Sequence, residues 1–246
     1  MKFLVCIKQM GDNGDMNRFD ENALEQALLL KEQNDDPISE PSFVDVVTIG
    51  PPGAEKIIKR AFGMGADTGY HIVTEDSGYV SSFITASRLA AVAEKSSYDL
   101  ILTGIMSEDM MAGETGPMLA QIMGFPCATG VVKTSLHFND NRIEVEREME
   151  NGFRDCLLIR LPFVLTIQAG INIPRYPCLS NMLAADKKQI ITYTEAELFP
   201  GTVPGARQFC MGMEDPRKTR AGHLLEGSLS DKARQVLSFL REKNLV

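Results

Sequence analysis

The chain has 246 residues, of which 44% are hydrophobic and 24% charged. These proportions are typical of a soluble globular protein long enough to bury a sizeable core. The formal net charge of −8 predicts no nucleic-acid partner, because phosphate repels an acidic chain. No apolar run reaches the roughly 20 residues of a membrane span, so we expect no membrane insertion. The five scattered cysteines contain no CxxC pair, which argues against a disulfide framework or a zinc site and favours a reducing cytoplasm.

Strands and helices alternate through the first half of the chain. Short apolar runs predict strands over residues 2–8, 43–50, 70–75 and 99–104. Helical patterns follow over residues 21–33, 51–67, 80–96 and 116–124, and Asp20 is the expected N-cap of the first helix. This order predicts an α/β fold with a doubly wound, mostly parallel sheet of the type that binds adenine nucleotides.

Ligands bind beyond the carboxyl ends of the strands in open sheets of this kind. Three loops leave such ends, over residues 9–20, 50–53 and 104–116. The third loop lies in the stretch TGIMSEDMMAGETGP (residues 103–117), which is rich in Met and acid and has no Lys or Arg. We therefore expect a binding site where these loops converge.

The second half of the chain has a different pattern. Residues 128–168 alternate in polarity and predict three strands, antiparallel at least in part, with turns at 139–141 and 151–152. A proline-punctuated segment then leads to a short helix before residue 190, and residues 199–222 predict an extended arm. Residues 228–246 predict a final helix, capped by Ser228 or Ser230, with Val236, Leu237 and Leu240 on one face. We predict an α/β domain over residues 1–190 and, over 191–246, an arm and helix that pack on a partner.

The residues give no sign of independent catalytic machinery. There is no GxGxxG and no P-loop motif. Ser107 and Asp109 would need a neighbouring histidine to form a nucleophile, and we expect Asp109 or Glu114 to cap the next helix instead. The Met side chains of the loop suit either a soft surface under an adenine ring or ordinary core packing. The three histidines are far apart in the sequence and are expected to be structural: His71, His137 and His223.

Several stretches resemble the electron-transfer flavoprotein β-subunit family. Residues 145–190 contain a VERE hairpin, a Leu-Pro pair, the sequence Asn-x-Pro-Arg-Tyr and a Lys pair in the family's order. The stretches MKFLVCIKQ, FDENALEQALLLKE, VTIGPP, GMGAD and YDLILTG match in order and spacing, and EDPRKTRAGHLLEG is similar to the family's C-terminal arm. The resemblance covers nearly the whole chain.

This resemblance implies an electron carrier. Such β-subunits pair with an electron-transfer flavoprotein α-subunit, which holds most of a redox FAD, and the pair relays electrons from dehydrogenases, for example of the acyl-CoA type. The β-subunit itself usually binds AMP, and a second FAD takes that site in electron-bifurcating members. A flavin that carries the chemistry agrees with the missing catalytic residues.

The resemblance also implies particular site residues. Leu179 matches an exposed leucine that anchors partner dehydrogenases, and Glu148 matches an acid near the mobile flavin domain. Backbone amides over Gly113–Gly116, at a helix N-terminus, are expected to hold a phosphate. The implied nucleotide-binding residues are Cys6, Asn17, Arg18, Phe19, Asp20, Ile49, Gly104, Asp109, Gly113, Glu114, Thr115 and Gly116.

Two departures fall at the expected nucleotide site. The loop over residues 105–112 keeps only Asp109 of the family's usual run, and the family's hairpin between Asp12 and Asn17 is expected to be largely absent. AMP, FAD and an empty site are therefore all open. The alternative function is a stand-alone nucleotide-binding or sensing domain without a redox role, and a third is a hydrolase that uses Ser107 and Asp109.

Overall fold

The computed structural model describes residues 1–11, 14–34, 41–75, 78–137, 141–185, 187–212, 214, 222 and 224–246, without the side chains at 34 and 137. The predicted turn at 139–140, the side chain of His137, His223 and most of the stretch EDPRKTRAGH lie outside the described residues.

One large sheet organises the described chain. Its nine strands have the order β11-β5-β4-β1-β6-β10-β7-β8-β9, and β2 and β3 form a separate two-stranded hairpin. The strands are β1 (Lys2–Cys6), β2 (Gln9–Met10), β3 (Asp15–Met16), β4 (Phe43–Gly50), β5 (Thr68–Val73), β6 (Leu100–Gly104), β7 (Cys127–His137), β8 (Arg142–Glu148), β9 (Arg154–Arg160), β10 (Phe163–Ile167) and β11 (Ile190–Thr194).

Helices connect the parallel strands, as the alternating pattern predicts. They are α1 (Arg18–Asn34), α2 (Glu55–Met64), α3 (Ser82–Ala93), α4 (Thr115–Met123), α5 (Leu179–Ala185), α6 (Glu195–Leu198) and α7 (Leu229–Glu242). The pairs that join β11, β5, β4, β1, β6, β10 and β7 are parallel, and only the β7-β8-β9 end is antiparallel. The predicted α/β fold with an antiparallel extension is confirmed.

The sheet is buried on both faces because its central strands are apolar on both sides. In β1, Phe3 and Val5 belong to one buried cluster with α1 and α2. Leu4 and Cys6 belong to a second cluster with α3 and α4. Alternate side chains of a strand point to opposite faces, so a continuous apolar run joins the two layers of helices to one sheet.

The chain reverses its direction of travel across the sheet between β1 and β6. From β1 it passes through α1 to β4 and through α2 to β5, and then α3 returns it to β6 on the other side of β1. Such a reversal leaves a crevice at the carboxyl ends of the two central strands. This topology places a potential ligand site between the loops that follow β1 and β6.

Two sequence predictions need correction. Residues 128–168 form four strands, because the third predicted strand is interrupted at Leu161-Pro162, and β10 then runs parallel between β6 and β7. A proline has no N–H to donate to a strand ladder, which ends β9 there. The hairpin expected to be largely absent is present in short form, with Gln9 and Met10 opposite Met16 and Asp15.

The chain divides into two compact units, Met1–Phe209 and Cys210–Val246. The sequence prediction put the boundary after residue 190, but β11 pairs with β5 and extends the sheet of the first unit. The second unit contains α7, which Ser228 caps: the Ser228 hydroxyl accepts a hydrogen bond from the Asp231 amide at 3.3 Å. Within the described residues, no helix is both long and apolar enough to cross a membrane.

Candidate functional site

A cavity of about 390 Å³ opens at the carboxyl ends of β1, β4 and β6. Residues from all three of the loops that follow these strands line the cavity, so the loops converge. Ten of the twelve nucleotide-binding residues expected from the sequence line this cavity: Cys6, Asn17, Asp20, Ile49, Gly104, Asp109, Gly113, Glu114, Thr115 and Gly116.

The other two expected residues do not line the cavity. Arg18 is exposed, and its backbone amide approaches a carboxylate oxygen of Glu108 at 3.5 Å. Phe19 packs against Gly104, where an added Cβ would lie 2.6 Å from the Phe19 Cβ. These two residues shape the start of α1, and they stay outside the cavity wall.

Asp20 joins three elements at the floor of the cavity. It is not the N-cap of α1, because the helix begins at Arg18 and Asp20 lies in its first turn. Its carboxylate accepts hydrogen bonds from the backbone amides of Lys8 at 2.8 Å and Gly104 at 3.0 Å. Burial raises the pKa of this carboxyl to about 7, although hydrogen bonds from Asn17, Lys8 and Gly104 oppose the shift. Asp20 thus fixes the ends of β1 and β6 relative to α1.

Asn17, the residue before α1, ties the helix to the loop after β6. Its Nδ2 donates to the carbonyl of Met106 at 2.9 Å, and its Oδ1 accepts from the amide of Glu108 at 3.2 Å. The side chain is almost fully buried. These two bonds satisfy backbone groups of an irregular loop that would otherwise lack partners.

An ion pair between Lys8 and Asp109 crosses part of the cavity wall. The Lys8 ammonium donates to the two Asp109 carboxylate oxygens at 2.8 and 2.7 Å and approaches the Ser107 hydroxyl at 3.5 Å. Partial burial raises the pKa of Asp109, but hydrogen bonds from Lys8 and Ser107 outweigh it, so the pKa lies below its ordinary value. Sequence reasoning missed Lys8, whose only signal was its position at the end of the first predicted strand.

The N-terminus of α4 forms the wall nearest the expected phosphate position. Glu114 occupies the N-cap position without a side-chain capping bond, so neither it nor Asp109 caps this helix as predicted. An added Cβ at Gly116 would meet the side chain of Thr166 and would lie 2.9 Å from the Thr103 hydroxyl. Only glycine permits this close approach of the helix to β6 and β10. The amide groups of the first turn are thereby held against the sheet, where an anion binds favourably.

A second basic residue reaches the cavity from α3. Arg88 lies on the buried face of α3 and lines the cavity together with Ser82 and Thr85. Its Nε and Nη2 donate to one carboxylate oxygen of Glu195 at 2.9 and 2.6 Å. Sequence reasoning missed this residue as well; the available signal was an arginine inside an otherwise apolar helical stripe.

The polar atoms of the cavity suit a ligand that is bound rather than chemically altered. The side-chain oxygen of Gln9, a lining residue, is buried and has no hydrogen-bond partner among the described residues. Burial, followed by the neighbouring Asp20 charge, raises the pKa of the Cys6 thiol, which makes it a poor nucleophile. Within the described part of the chain, no histidine forms a hydrogen bond with Ser107 and no cluster of metal ligands is found.

Methionine side chains in the 103–117 stretch and directly after it lie in different settings. Met106 and Met110 line the cavity, where a flat apolar ring can pack on their thioethers. Met118 packs against the core cluster under α3 and α4, and Met111 is 66% exposed.

The two predicted partner-binding residues lie away from the cavity. Leu179 begins α5 and is 76% exposed. Glu148 ends β8, is exposed, and accepts a hydrogen bond from Gln168 at 3.2 Å. Both side chains are exposed at the surface of the described chain.

The chain is similar to known proteins of one family. Residues 5–198 match the model of the electron transfer flavoprotein domain. The chain is 30% identical to electron transfer flavoprotein subunit beta of Methylophilus methylotrophus, with 98% of each chain covered. It is 32% identical to the subunit of the same name from Bos taurus, covering 88% of this chain and 82% of that one. It is also 28% identical to the caffeyl-CoA reductase-Etf complex subunit CarD of Acetobacterium woodii over the full length of both.

Proposed function

Because the chain belongs to the electron-transfer flavoprotein β-subunit family, we propose that it pairs with an electron-transfer flavoprotein α-subunit and relays electrons from dehydrogenases. The observation that carries this proposal is a similarity that spans 98% of both chains in one relative. FAD held mainly by the α-subunit supplies the redox chemistry when it is bound. This chain contributes binding and orientation, and it acts in the cytoplasm.

We propose that the cavity binds AMP. Its volume of about 390 Å³ lies near the lower end of the roughly 300–1,000 Å³ typical of ligand sites. This size favours a mononucleotide over the second FAD that the resemblance also allows. The amides over Gly113–Gly116 would hold the phosphate, and the side chains of Met106 and Met110 would contact the base.

The charges around the cavity support a ligand with few phosphates. Asp20, Asp109 and Glu114 bring carboxyl groups to the wall, whereas Lys8 and Arg88 bring the basic groups. Both basic groups are already engaged by carboxylates, in pairs with Asp109 and Glu195. A diphosphate would bring further negative charge to these acids, whereas a monophosphate can be held by backbone amides alone.

The partner surfaces follow from the exposed residues. Leu179 would enter a pocket on an acyl-CoA-type dehydrogenase, which is consistent with a relative named as part of a caffeyl-CoA reductase complex. Glu148 would lie near the flavin-carrying part of the α-subunit. The second unit, Cys210–Val246, would pack on the α-subunit, with the exposed apolar residues of α7 buried there.

The alternative is a stand-alone nucleotide-binding or sensing domain. The observation in its favour is that every residue that lines the cavity belongs to the unit Met1–Phe209. A sensor of this kind would bind AMP as a single chain and would not require an α-subunit.

Co-expression with the α-subunit from the same organism tests both functions. The proposal predicts a stable heterodimer that contains one FAD by absorbance and one AMP by mass spectrometry. Two flavins would contradict the proposed ligand and leave the electron-transfer role in place. AMP bound to the single chain, with no heterodimer and no flavin, would favour the sensor and contradict electron transfer.

A further inference from the structure

Residues 172–185, here called the exposed segment, combine exposed apolar side chains with a firmly held backbone. Ile173, Tyr176 and Leu179 are 91%, 88% and 76% exposed. Apolar side chains this exposed do not hold a segment in place by burial. Its conformation therefore depends on contacts made by the residues between them.

Arg175 connects the exposed segment to α1 through a buried carboxylate. Glu25 on α1 is 4% exposed, and a carboxylate at that depth requires a charged or hydrogen-bonding partner. The Arg175 backbone amide donates to Glu25 at 3.0 Å, its Nε donates at 2.9 Å and its Nη2 at 3.0 Å. This bidentate geometry fixes the direction of the arginine as well as its charge.

A second carboxylate of α1 completes the arginine site. The Arg175 Nη1 donates to Glu32 at 2.6 Å, and its Nη2 donates to the other oxygen of Glu32 at 3.2 Å. The hydrogen bond from Arg175 holds the pKa of Glu32 below its ordinary value. One guanidinium thus spans two carboxylates that lie two helical turns apart on α1.

Asn172, three residues before Arg175, also attaches the exposed segment to α1. Its Nδ2 donates to the Asn22 carbonyl and to the Gln26 side-chain oxygen, both at 3.0 Å. In return, the Asn22 Nδ2 donates to the Asn172 carbonyl at 3.1 Å and to its side-chain oxygen at 3.0 Å. Asn22 and Gln26 are both buried, so water does not compete with these bonds.

The other end of the exposed segment is attached to α2. The carbonyl of Gly63 accepts bonds from the Cys178 amide at 3.3 Å and from the Asn181 side chain at 3.4 Å. An added Cβ at Gly63 would lie 2.7 Å from the Met182 sulfur and 2.9 Å from the Pro177 Cβ. The exposed segment is therefore attached to both helices, and its exposed apolar side chains alternate along the chain with the attaching residues.

We propose that Glu25 and Arg175 are positioning residues that hold the exposed segment in its docking conformation. This inference rests on the proposed function, in which Leu179 contacts a dehydrogenase. A surface that is ordered before docking loses less conformational freedom when the partner binds, so its affinity is higher. Release of Arg175 would leave Leu179 present and exposed, but its position relative to Ile173 and Tyr176 would be less restricted, because Asn172 would be the remaining described attachment to α1.

Arg175→Gln in the complete α/β heterodimer tests this role. Steady-state reduction by an acyl-CoA dehydrogenase should show a KM for the heterodimer raised roughly tenfold, the scale on which a lost preorganisation acts. The kcat and the flavin content should be unchanged, and hydrogen exchange of residues 172–185 should be faster. Arg60→Gln is the matched control, because Arg60 also pairs with a carboxylate of α1, Glu21 at 2.6 Å, and none of its described hydrogen bonds or ion pairs is to the exposed segment. It should leave the KM unchanged.

The double variant Glu25→Gln/Arg175→Gln covers the possibility that an unpaired Glu25 prevents folding. It removes both charges together, and it should show the same raised KM and the same faster exchange. A folded variant with the wild-type KM would overturn the inference and leave the proposed function intact. A wild-type heterodimer that takes no electrons from the dehydrogenase would overturn the proposed function, and the docking role would fall with it.

Discussion

Asp20 is a buried carboxyl group in the cavity wall that makes several polar contacts with neighbouring residues. It accepts two backbone amides, lies beside Cys6 and Lys8, and has a pKa raised to about 7 by burial. Near neutral pH this carboxyl is therefore close to half protonated. A group with this role affects both the stability of the fold and the charge that a ligand meets.

The raised pKa of Asp20 predicts a specific dependence of stability on pH. Between its ordinary value near 3.8 and about 7, the folded chain holds a proton that the unfolded chain has released. The free energy of unfolding should therefore fall as pH rises from 5 to 8, by on the order of 2 kcal/mol from this group. Urea unfolding at several pH values should show this decline in the wild type, and Asp20→Asn should lack it. Equal slopes for both proteins would contradict the raised pKa.

Gly104 is a site where the addition of a single methyl group should destabilise the fold. An added Cβ would lie 2.5 Å from an Asp20 carboxylate oxygen and 2.9 Å from the backbone carbon of Phe19. Gly104→Ala should reduce the free energy of unfolding by about 1–3 kcal/mol, the usual cost of overpacking. Gly53→Ala is the control, since nothing lies within 4 Å of its added Cβ. Equal unfolding midpoints for the two variants would contradict the close packing of α1 against β6.

At the scale of elements, α5 is the element most directly concerned with partner binding. Leu179→Ala should raise the KM of the heterodimer for its dehydrogenase roughly tenfold, because an exposed anchor commonly contributes about 1–2 kcal/mol. Flavin content should not change, since Leu179 lies outside the cavity. Leu158→Ala on β9, which also removes an exposed leucine, should leave the KM unchanged. Equal effects of the two substitutions would remove Leu179 from the docking surface.

Local patterns predicted most of the elements, and long-range pairing explains the exceptions. The strands β1, β4 and β6 were predictable because each is a short apolar run buried on both faces. The separation of β9 from β10 was not, because it depends on β10 inserting between β6 and β7. The two-residue strands β2 and β3 are too short for any periodicity to indicate them.

The same distinction applies to the candidate site. Its loops were predictable because they follow the carboxyl ends of parallel strands. The pairing of Lys8 with Asp109 joins residues 101 positions apart, and that of Arg88 with Glu195 joins residues 107 apart. No local pattern indicates such pairs. Asp20 was recognised as a helix-start residue, but its bonds to the ends of β1 and β6 depend on the assembled sheet.

At the scale of the whole molecule, the second unit should determine association with the α-subunit. In α7, Val236 and Leu237 are 42% and 43% exposed. Leu237→Lys should lower the yield of co-purified heterodimer several-fold, because a buried unpaired ammonium is costly at an interface. Ser238→Lys adds the same charge at the neighbouring position, away from Val236 on the helix, and should not lower the yield. Analytical size exclusion measures both, and full assembly of Leu237→Lys would contradict this interface.

Electron delivery to the assembled heterodimer tests the central claim most directly. The purified complex of this chain with its α-subunit would be mixed, without oxygen, with an acyl-CoA dehydrogenase already reduced by its substrate. The account predicts loss of the oxidised-flavin absorbance of the heterodimer, at a rate that saturates as the concentration of the heterodimer increases. A heterodimer whose flavin stays oxidised, while the same dehydrogenase reduces an established electron-transfer flavoprotein, would contradict the account.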